Sequence, residues 1–340
     1  MIRTIRLLLT LGILISFQQI QAQYQTGLVL PSNWKTLNKQ IHFANSVTLP
    51  ATFDWRQIAP GGLTPIQNQG QCGSCWAFAS AANFADVMKI RENQTFNISQ
   101  QFLLSCNTQG FSCAGGWWAH DMHKQFGWVD SSDYPYKAAD TQCRSGLKYH
   151  DKLKDWAYVG SRSDVPPVAA MKQAIMVYGP LTVGVAASSS FQSYRSGVFS
   201  RNDSSGVNHA VNIVGWDDNT QSWIMRNSWG KNWGESGFMR IKYGVNAIGT
   251  AASFLQYEPK CQNQAYVDAG GDLSIKSGES IQIGGIPMSD ANYRWYSSDG
   301  QSIPDSPNPS VSPKQDTTYT MVVTTSCGAS AASMKVSVLP

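Results

Sequence analysis

Charge is scarce in this 340-residue chain: 14% of residues are Asp, Glu, Lys or Arg, the formal net charge is +4, and no long run of one sign occurs. The first 22 residues hold Arg3 and Arg6 and no acid, so without them the balance is +2. A basic nucleic-acid surface is therefore not indicated. Long apolar runs are missing as well. The one candidate, Leu7–Phe17, is about 11 residues, short of the roughly 20 that cross a bilayer. With two arginines before it and Ala22 ahead of Gln23, residues 1–22 have the form of a cleaved secretory signal. The mature chain is expected to be soluble, without a membrane span, and exported to an extracellular or periplasmic space where disulfides persist. No internal repeat is evident, and histidine is limited to five positions.

Cysteine is present in an odd number: Cys72, Cys75, Cys106, Cys113, Cys143, Cys261 and Cys327. In an oxidising compartment one thiol is left over and needs a reason to be free. The simplest division is two bridges and one free thiol before residue 150, with one bridge, Cys261–Cys327, near the end. Composition shifts near Glu258-Pro259. Beyond it, short β-prone runs (SIQI, YRWY, YTMVV, MKVSV) alternate with turn residues, which predicts a small β-sandwich. Before it, apolar positions at three- and four-residue intervals predict a buried helix over 74–91, and 168–178 reads as a second helix stopped by Gly179-Pro180. The runs LTVGV, HAVNIVGW, SWIMRNSW and GFMRIKY read as strands. Helices first and antiparallel strands later predict an α+β fold with two subregions.

Cys72 and Cys75 stand in NQGQCGSCWAFA. The spacing suits a redox pair, half a zinc site, or a nucleophile beside a structural cysteine. Cys75 falls on the first turn of the predicted helix, where unpaired N–H groups and the helix dipole favour a thiolate. Acyl transfer also needs a proton carrier, and histidine is the natural one. His42 and His150 lie in loop-like stretches, His120 and His123 share a helix face, and His209 heads an apolar strand. A rigid strand positions a side chain better than a loop does, so His209 ranks first, with a buried structural histidine as the plain alternative.

Those residues carry a family resemblance. QNQGQCGSCWAFA resembles the active-site segment of papain-like (C1 family) cysteine proteases, whose His and Asn follow roughly 130–150 residues downstream. His209 is 134 residues after Cys75 and Asn227 is 152 after it. WIMRNSWGKNWGESGFMRI, SQQFLLSC, SCAGGWW, DYPY and YRSGVF also match in order, over about residues 49–257. The resemblance implies a two-subdomain fold, with a helical left part and an antiparallel β-barrel-like right part. It implies Cys75 as nucleophile, His209 as its proton carrier, Asn227 as the group that orients the imidazole, and Gln69 as an oxyanion donor beside the Cys75 N–H. It implies bridges Cys72–Cys113 and Cys106–Cys143, which leaves Cys75 free. Gly115 and Gly116 would hydrogen-bond an extended peptide. Trp117, Gly184, Val207, Ala210 and Ala252 would line an apolar pocket for the second residue before the cut, and Trp229 would cover the His209–Asn227 pair. Protein or peptide substrates, endopeptidase action, and no cofactor or metal follow.

Three departures stand out. Residues 23–48, a short pro-segment or linker ahead of Leu49, cannot hold the family's long helical inhibitory propeptide. A disulfide common in the second subdomain is absent, with Ala247 at one of its positions, and Asn208 stands where aspartate is common before the catalytic histidine. The expected organisation is thus signal 1–22, pro-segment or linker 23–48, protease domain 49–258 and a β-domain 259–340. That last domain resembles immunoglobulin-like or PKD-like modules that space, anchor or bind a surface polymer or another protein. Rival readings are weaker. A redox protein would leave His209, Asn227 and Gln69 idle, and a zinc site lacks a second ligand pair. A catalytically idle papain-fold secreted binding protein is the alternative that the retained Cys75, His209, Asn227 and Gln69 argue against.

Overall fold

The computed structural model describes residues 24–36, 39–43, 49–160, 164–203 and 206–340, so the signal-like residues 1–22 lie outside the described residues. Six helices are α1 (Trp55–Ile58), α2 (Cys75–Glu92), α3 (Gln100–Cys106), α4 (His120–Gln125), α5 (Val168–Tyr178) and α6 (Ser189–Gln192). Nine strands share the first sheet: β1 (Gln40–Ile41), β2 (Thr52–Asp54), β3 (Asp155–Val159), β4 (Leu181–Val185), β5 (Val198–Phe199), β6 (His209–Asp217), β7 (Ser222–Arg226), β8 (Phe238–Lys242) and β9 (Thr250–Gln256). Their order is β1-β3-β9-β4-β6-β7-β8-β5, with β2 paired to β6.

Helix α2 runs through the interior, and every residue of it except Arg91 is buried. Its alanines at 77, 79, 81, 82 and 85 let neighbours approach from all sides, as an all-round buried helix requires. It starts at Cys75, within the predicted start at Ser74 or Cys75, and ends at Glu92, with Asn93 as C-cap, its left-handed φ of 53° and its N–H closing on Lys89 O. Helix α5 spans the predicted 168–178 and stops at Gly179, whose φ of 105° suits glycine.

Two cores flank the site. One joins α2 to Phe102, Leu103, Trp117 and Trp156; the other joins α5 to Trp216, Met225, Ile241 and Phe254 of the sheet. Polar ties cross between α2 and the strands: Asn212 Nδ2 donates to Ala79 O at 3.1 Å, and Asn83 Nδ2 donates to Thr182 Oγ1 at 2.8 Å. The strongest is an ion pair of Asp86 with Arg226 at 2.7 Å, both side chains buried (0% and 2% exposed). Losing one member of such a pair costs about 3–5 kcal/mol, because the other is left charged and dry.

Past Cys261 lie β10 (Leu273–Lys276), β11 (Ile281–Gln282), β12 (Asn292–Ser297), β13 (Ser310–Val311), β14 (Thr317–Thr325) and β15 (Gly328–Leu339). They form a four-stranded sheet, β10-β15-β14-β12, and a two-stranded one, β11-β13. Trp295, Tyr319, Met334 and Val336 pack in a core of their own there. Cys327 sits in the turn after β14 and is bonded to Cys261. This unit leans on the far end of α2. Val322, Ala329 and Ala331 join the α5-side core, and Arg91 Nη1 donates to Ser330 Oγ at 3.1 Å. Gly328 passes so close that an added Cβ would lie 2.2 Å from Ile90 O.

Candidate active site

The site forms where the start of α2 meets the head of β6 and the residues after β7. Cys75 is the first residue of α2, His209 the first of β6, and Asn227 follows Arg226, the last of β7. β6 and β7 are antiparallel neighbours, which brings the imidazole and the amide together. His209 Nε2 donates to Asn227 Oδ1 at 2.8 Å, and the Ser228 N–H donates to the same oxygen at 2.8 Å. The other ring nitrogen, Nδ1, is buried and has no hydrogen-bond partner among the described residues. Trp229 stacks on the imidazole at 4.4 Å with 25° between the planes, and so shields the pair from water.

Gln69 is wholly buried beside them. Its Oε1 accepts from Ser228 Oγ at 2.6 Å, which fixes the amide so that Nε2 is the outward donor, to Cys72 O at 2.9 Å and Gln25 O at 3.1 Å. Tyr136 Oη donates to Gln69 O at 2.9 Å and lies 2.6 Å from Ser74 Oγ, tying the Gln69 loop to the start of α2. Ser228 and Tyr136 lie inside the matched runs WIMRNSWGKNWGESGFMRI and DYPY, but their hydroxyl partners are distant in the chain, so no role of their own is legible from the sequence.

The structure pairs Cys72 with Cys113, Cys106 with Cys143 and Cys261 with Cys327, and Cys75 is the free cysteine. Its thiol is buried, and burial pushes its pKa up to about 12, against backbone N–H groups of Ala210, Gly27 and Trp76 that favour the thiolate. Burial also brings His209 down to about 4, with the Asn227 hydrogen bond opposing it. The helix-start argument alone points to a thiolate; here burial of both groups pushes the other way, favouring the uncharged form of each. Gly27, in the segment 24–30, is among the backbone neighbours of the thiol.

The remaining expected site residues fall around that segment. Gly116 exchanges backbone hydrogen bonds with it, and Cβ atoms added at Gly115 and Gly184 would meet Val29 at 2.7 Å and Leu28 at 3.1 Å. Val207 and Ala210 pack in the same cluster as Leu28. Trp117 is in that cluster too, stacked on Trp118 at 4.2 Å and donating to Tyr158 Oη at 3.3 Å. Ala252 departs from the expected pocket: it packs in the α5-side core, while Ala251 shares the cluster of Leu28. Successive strand residues point to opposite faces, so one step along β9 changes which core a side chain joins. The other histidines stand apart: His120 Nε2 lies 3.1 Å from Ser253 Oγ, and His123 Nδ1 lies 3.1 Å from Gly127 O, both buried. Among the described residues no group of three or more His, Cys, Asp or Glu could hold a metal ion, and no helix is long and apolar enough to cross a membrane.

Comparison with known proteins decides the family. Residues 49–257 match the family described as Papain family cysteine protease. The chain belongs to the papain family of cysteine proteases. It is 34% identical over 227 residues to a viral cathepsin of Heliothis zea nuclear polyhedrosis virus, covering 64% of this chain and 59% of that protein. It is 35% identical over 256 residues to the senescence-specific cysteine protease SAG12 of Arabidopsis thaliana, covering 70% and 72%. The chain thus spans somewhat under two thirds of the viral protein's length and more of the plant protein's. Among solved structures, the bromelain protease of Ananas comosus in complex with the E64 inhibitor superposes with a TM-score of 0.56 at 33% identity, covering 62% of this chain and all of the bromelain chain. The papain family acts on proteins, and the fold of residues 49–257 is papain-like, with additional β-sheets after it.

Proposed function

We propose that the chain is a secreted cysteine endopeptidase that hydrolyses peptide bonds with Cys75, His209 and Asn227 as a triad. The observation that carries this reading is the His209 Nε2–Asn227 Oδ1 hydrogen bond at 2.8 Å, in the same site as the free thiol of Cys75. In the open cleft the Cys75 proton passes to His209 Nδ1, the ring nitrogen left without a partner. The thiolate attacks the scissile carbonyl carbon, a C–S bond forms, and the carbonyl electron pair moves onto oxygen. Gln69 Nε2–H and the Cys75 N–H stabilise that oxyanion. Collapse breaks the C–N bond as His209 gives its proton to the leaving amine. Water, deprotonated by His209, then cleaves the thioester and returns the thiol.

Substrate would bind along Gly116 as an added strand, with Gly115 close by. Gly184, Val207, Ala210 and Trp117 would surround the side chain of the second residue before the cut, with Ala251 there rather than Ala252. Leu28 sits among these residues, which supports a pocket suited to an apolar, leucine-sized side chain. Export is supported by three disulfides, which belong to an oxidising compartment. The unit from 259 on is proposed to act as a separate module, since it meets the protease unit at the far end of α2, away from the cleft. Replacing Cys75 with Ala should abolish hydrolysis of a fluorogenic peptide with leucine at the second position. Mapping that finds Cys72 and Cys75 bridged in active material would refute the mechanism.

A further inference from the structure

Ser74 stands at the cap position of α2 and does not cap it. Ser99 and Ser188, at the same position in α3 and α6, do: Ser99 Oγ accepts from Phe102 N at 3.0 Å, and Ser188 Oγ accepts from Phe191 N at 3.3 Å. Their ψ angles are 115° and 176°, whereas Ser74 has ψ of 20° and its side chain makes no cap bond. Its hydroxyl lies instead 2.6 Å from Tyr136 Oη. Donation elsewhere does not by itself prevent capping, since Ser99 Oγ caps α3 while donating to Tyr134 O at 2.6 Å. What sets Ser74 apart is its backbone. Peptides are planar, so ψ at residue 74 orients the next peptide unit and with it the Cys75 N–H.

The Tyr136 phenol has one proton to give. Gln69 O can only accept, so that proton goes to it, at 2.9 Å. The Ser74 hydroxyl then donates to Tyr136 Oη; its other acceptor, Cys72 O, is further away at 3.5 Å. The chain Ser74–Tyr136–Gln69 thus spans both proposed oxyanion donors: Ser74 precedes the Cys75 N–H, and Gln69 supplies the other from its side chain. The tyrosine is itself held in place. Its ring meets Phe78 edge-on at 4.7 Å, one turn along α2 from Ser74, and the adjoining Lys137 N donates to Gln101 Oε1 of α3 at 2.8 Å.

We propose that Tyr136 is a positioning residue for the reaction: its hydroxyl joins Gln69 O to Ser74, keeps Ser74 in the uncapped conformation, and so holds the Cys75 N–H and the Gln69 amide in one arrangement. This rests on the peptidase reading given above. Without the phenol hydroxyl, Ser74 is free to adopt the extended backbone of Ser99 and Ser188 and to take a first-turn N–H of α2 as they do. That rotation turns the Cys75 N–H away from the site, and Gln69 O loses its partner. The thiol, carried by the helix itself, stays where it is.

The test is Tyr136→Phe, which keeps the ring on Phe78 and removes only the hydroxyl, with the double variant Tyr136→Phe/Ser74→Ala beside it. Both are compared with the parent full chain per titrated Cys75 thiol. For a fluorogenic peptide with leucine at the second position, Tyr136→Phe should lower kcat about tenfold or more with KM little changed. Alkylation of Cys75 by iodoacetamide forms no oxyanion, and its rate should stay within about twofold of the parent. The double variant has no hydroxyl left to cap α2, so its kcat should exceed that of Tyr136→Phe by about threefold or more; a merely structural tyrosine shows no such rescue. Unchanged kcat in Tyr136→Phe would overturn the proposal, since the turn in which Ser74 N donates to Cys72 O at 2.8 Å would then hold the cap residue alone. A double variant no faster than the single one, or kcat and alkylation falling together, would overturn it as well. A parent chain that alkylates at Cys75 yet cuts no peptide overturns the peptidase reading, and this proposal with it; an active parent matched by Tyr136→Phe overturns the proposal alone.

Discussion

The two ends of α2 do opposite things with the same close packing. At its start, the buried free thiol of Cys75 lies in the candidate site with Gln69, His209 and Asn227. At its end, some 15 residues and ~22 Å further on at 1.5 Å per residue, Ile90 and Arg91 form a seam with Gly328 and Ser330 of the C-terminal unit. Side chains at the first end are set by hydrogen bonds whose direction matters, such as Ser228 Oγ to Gln69 Oε1. The second end is set by smallness, with Gly328, Ala329 and Ala331 allowing close approach. A change at the first end should therefore alter rate with little loss of stability, and a change at the second should do the reverse.

The sharpest break of that contrast is Cys75→Ala, which should lower kcat/KM by about 10⁴-fold or more while leaving the melting temperature near that of the parent. Next comes Gln69→Ala. Loss of one oxyanion donor should reduce kcat by about 10–10³-fold with KM little changed; an unchanged kcat would remove Gln69 from the mechanism. At the other end, Gly328→Val should cost about 1–3 kcal/mol through overpacking and should lower the melting temperature. Activity per titrated active site should stay at the parent value. A fall in that specific activity would mean the two ends are coupled.

The smallest effect is one of pH. Burial holds His120 well below the usual histidine range and brings His123 and His209 to about 4. Each is neutral when folded and takes up a proton once unfolded, so the stability they allow is complete above about pH 6.5 and is lost as pH falls towards 4. Thermal melts should decline across that window. His120→Phe, remote from the cleft, should flatten part of the decline without changing kcat. A decline of the same slope in that variant would assign the effect to other groups.

Much of the fold was legible because the relevant patterns are local. Periodicity marked α2, residues 168–178 with the Gly179-Pro180 stop marked α5, and the strand-like runs LTVGV, HAVNIVGW, SWIMRNSW and GFMRIKY marked β4, β6, β7 and β8. The proximity of His209 and Asn227 in the candidate site was legible for another reason: both, like Cys75, sit at element ends, where flanking motifs are distinctive. What stayed hidden depends on partners far along the chain. YQTGLVL shows no periodicity, since its hydrogen bonds go to Gly116, Asn208, Gln69 and Trp229 rather than to itself. Burial reverses the direction expected for the Cys75 pKa, because a helix start favours a thiolate only where solvent or a charged partner can reach it. Ala252 illustrates the limit of strand reading: alternation along β9 puts Ala251 in the cluster of Leu28 and Ala252 in the other core.

The most direct test of the site is stoichiometric alkylation of active chain followed by peptide mapping. One label on Cys75 should account for the whole loss of hydrolysis, with Cys72 still bonded to Cys113. Activity that survives complete labelling of Cys75, or loss of activity that tracks a label on any other residue, would contradict the account.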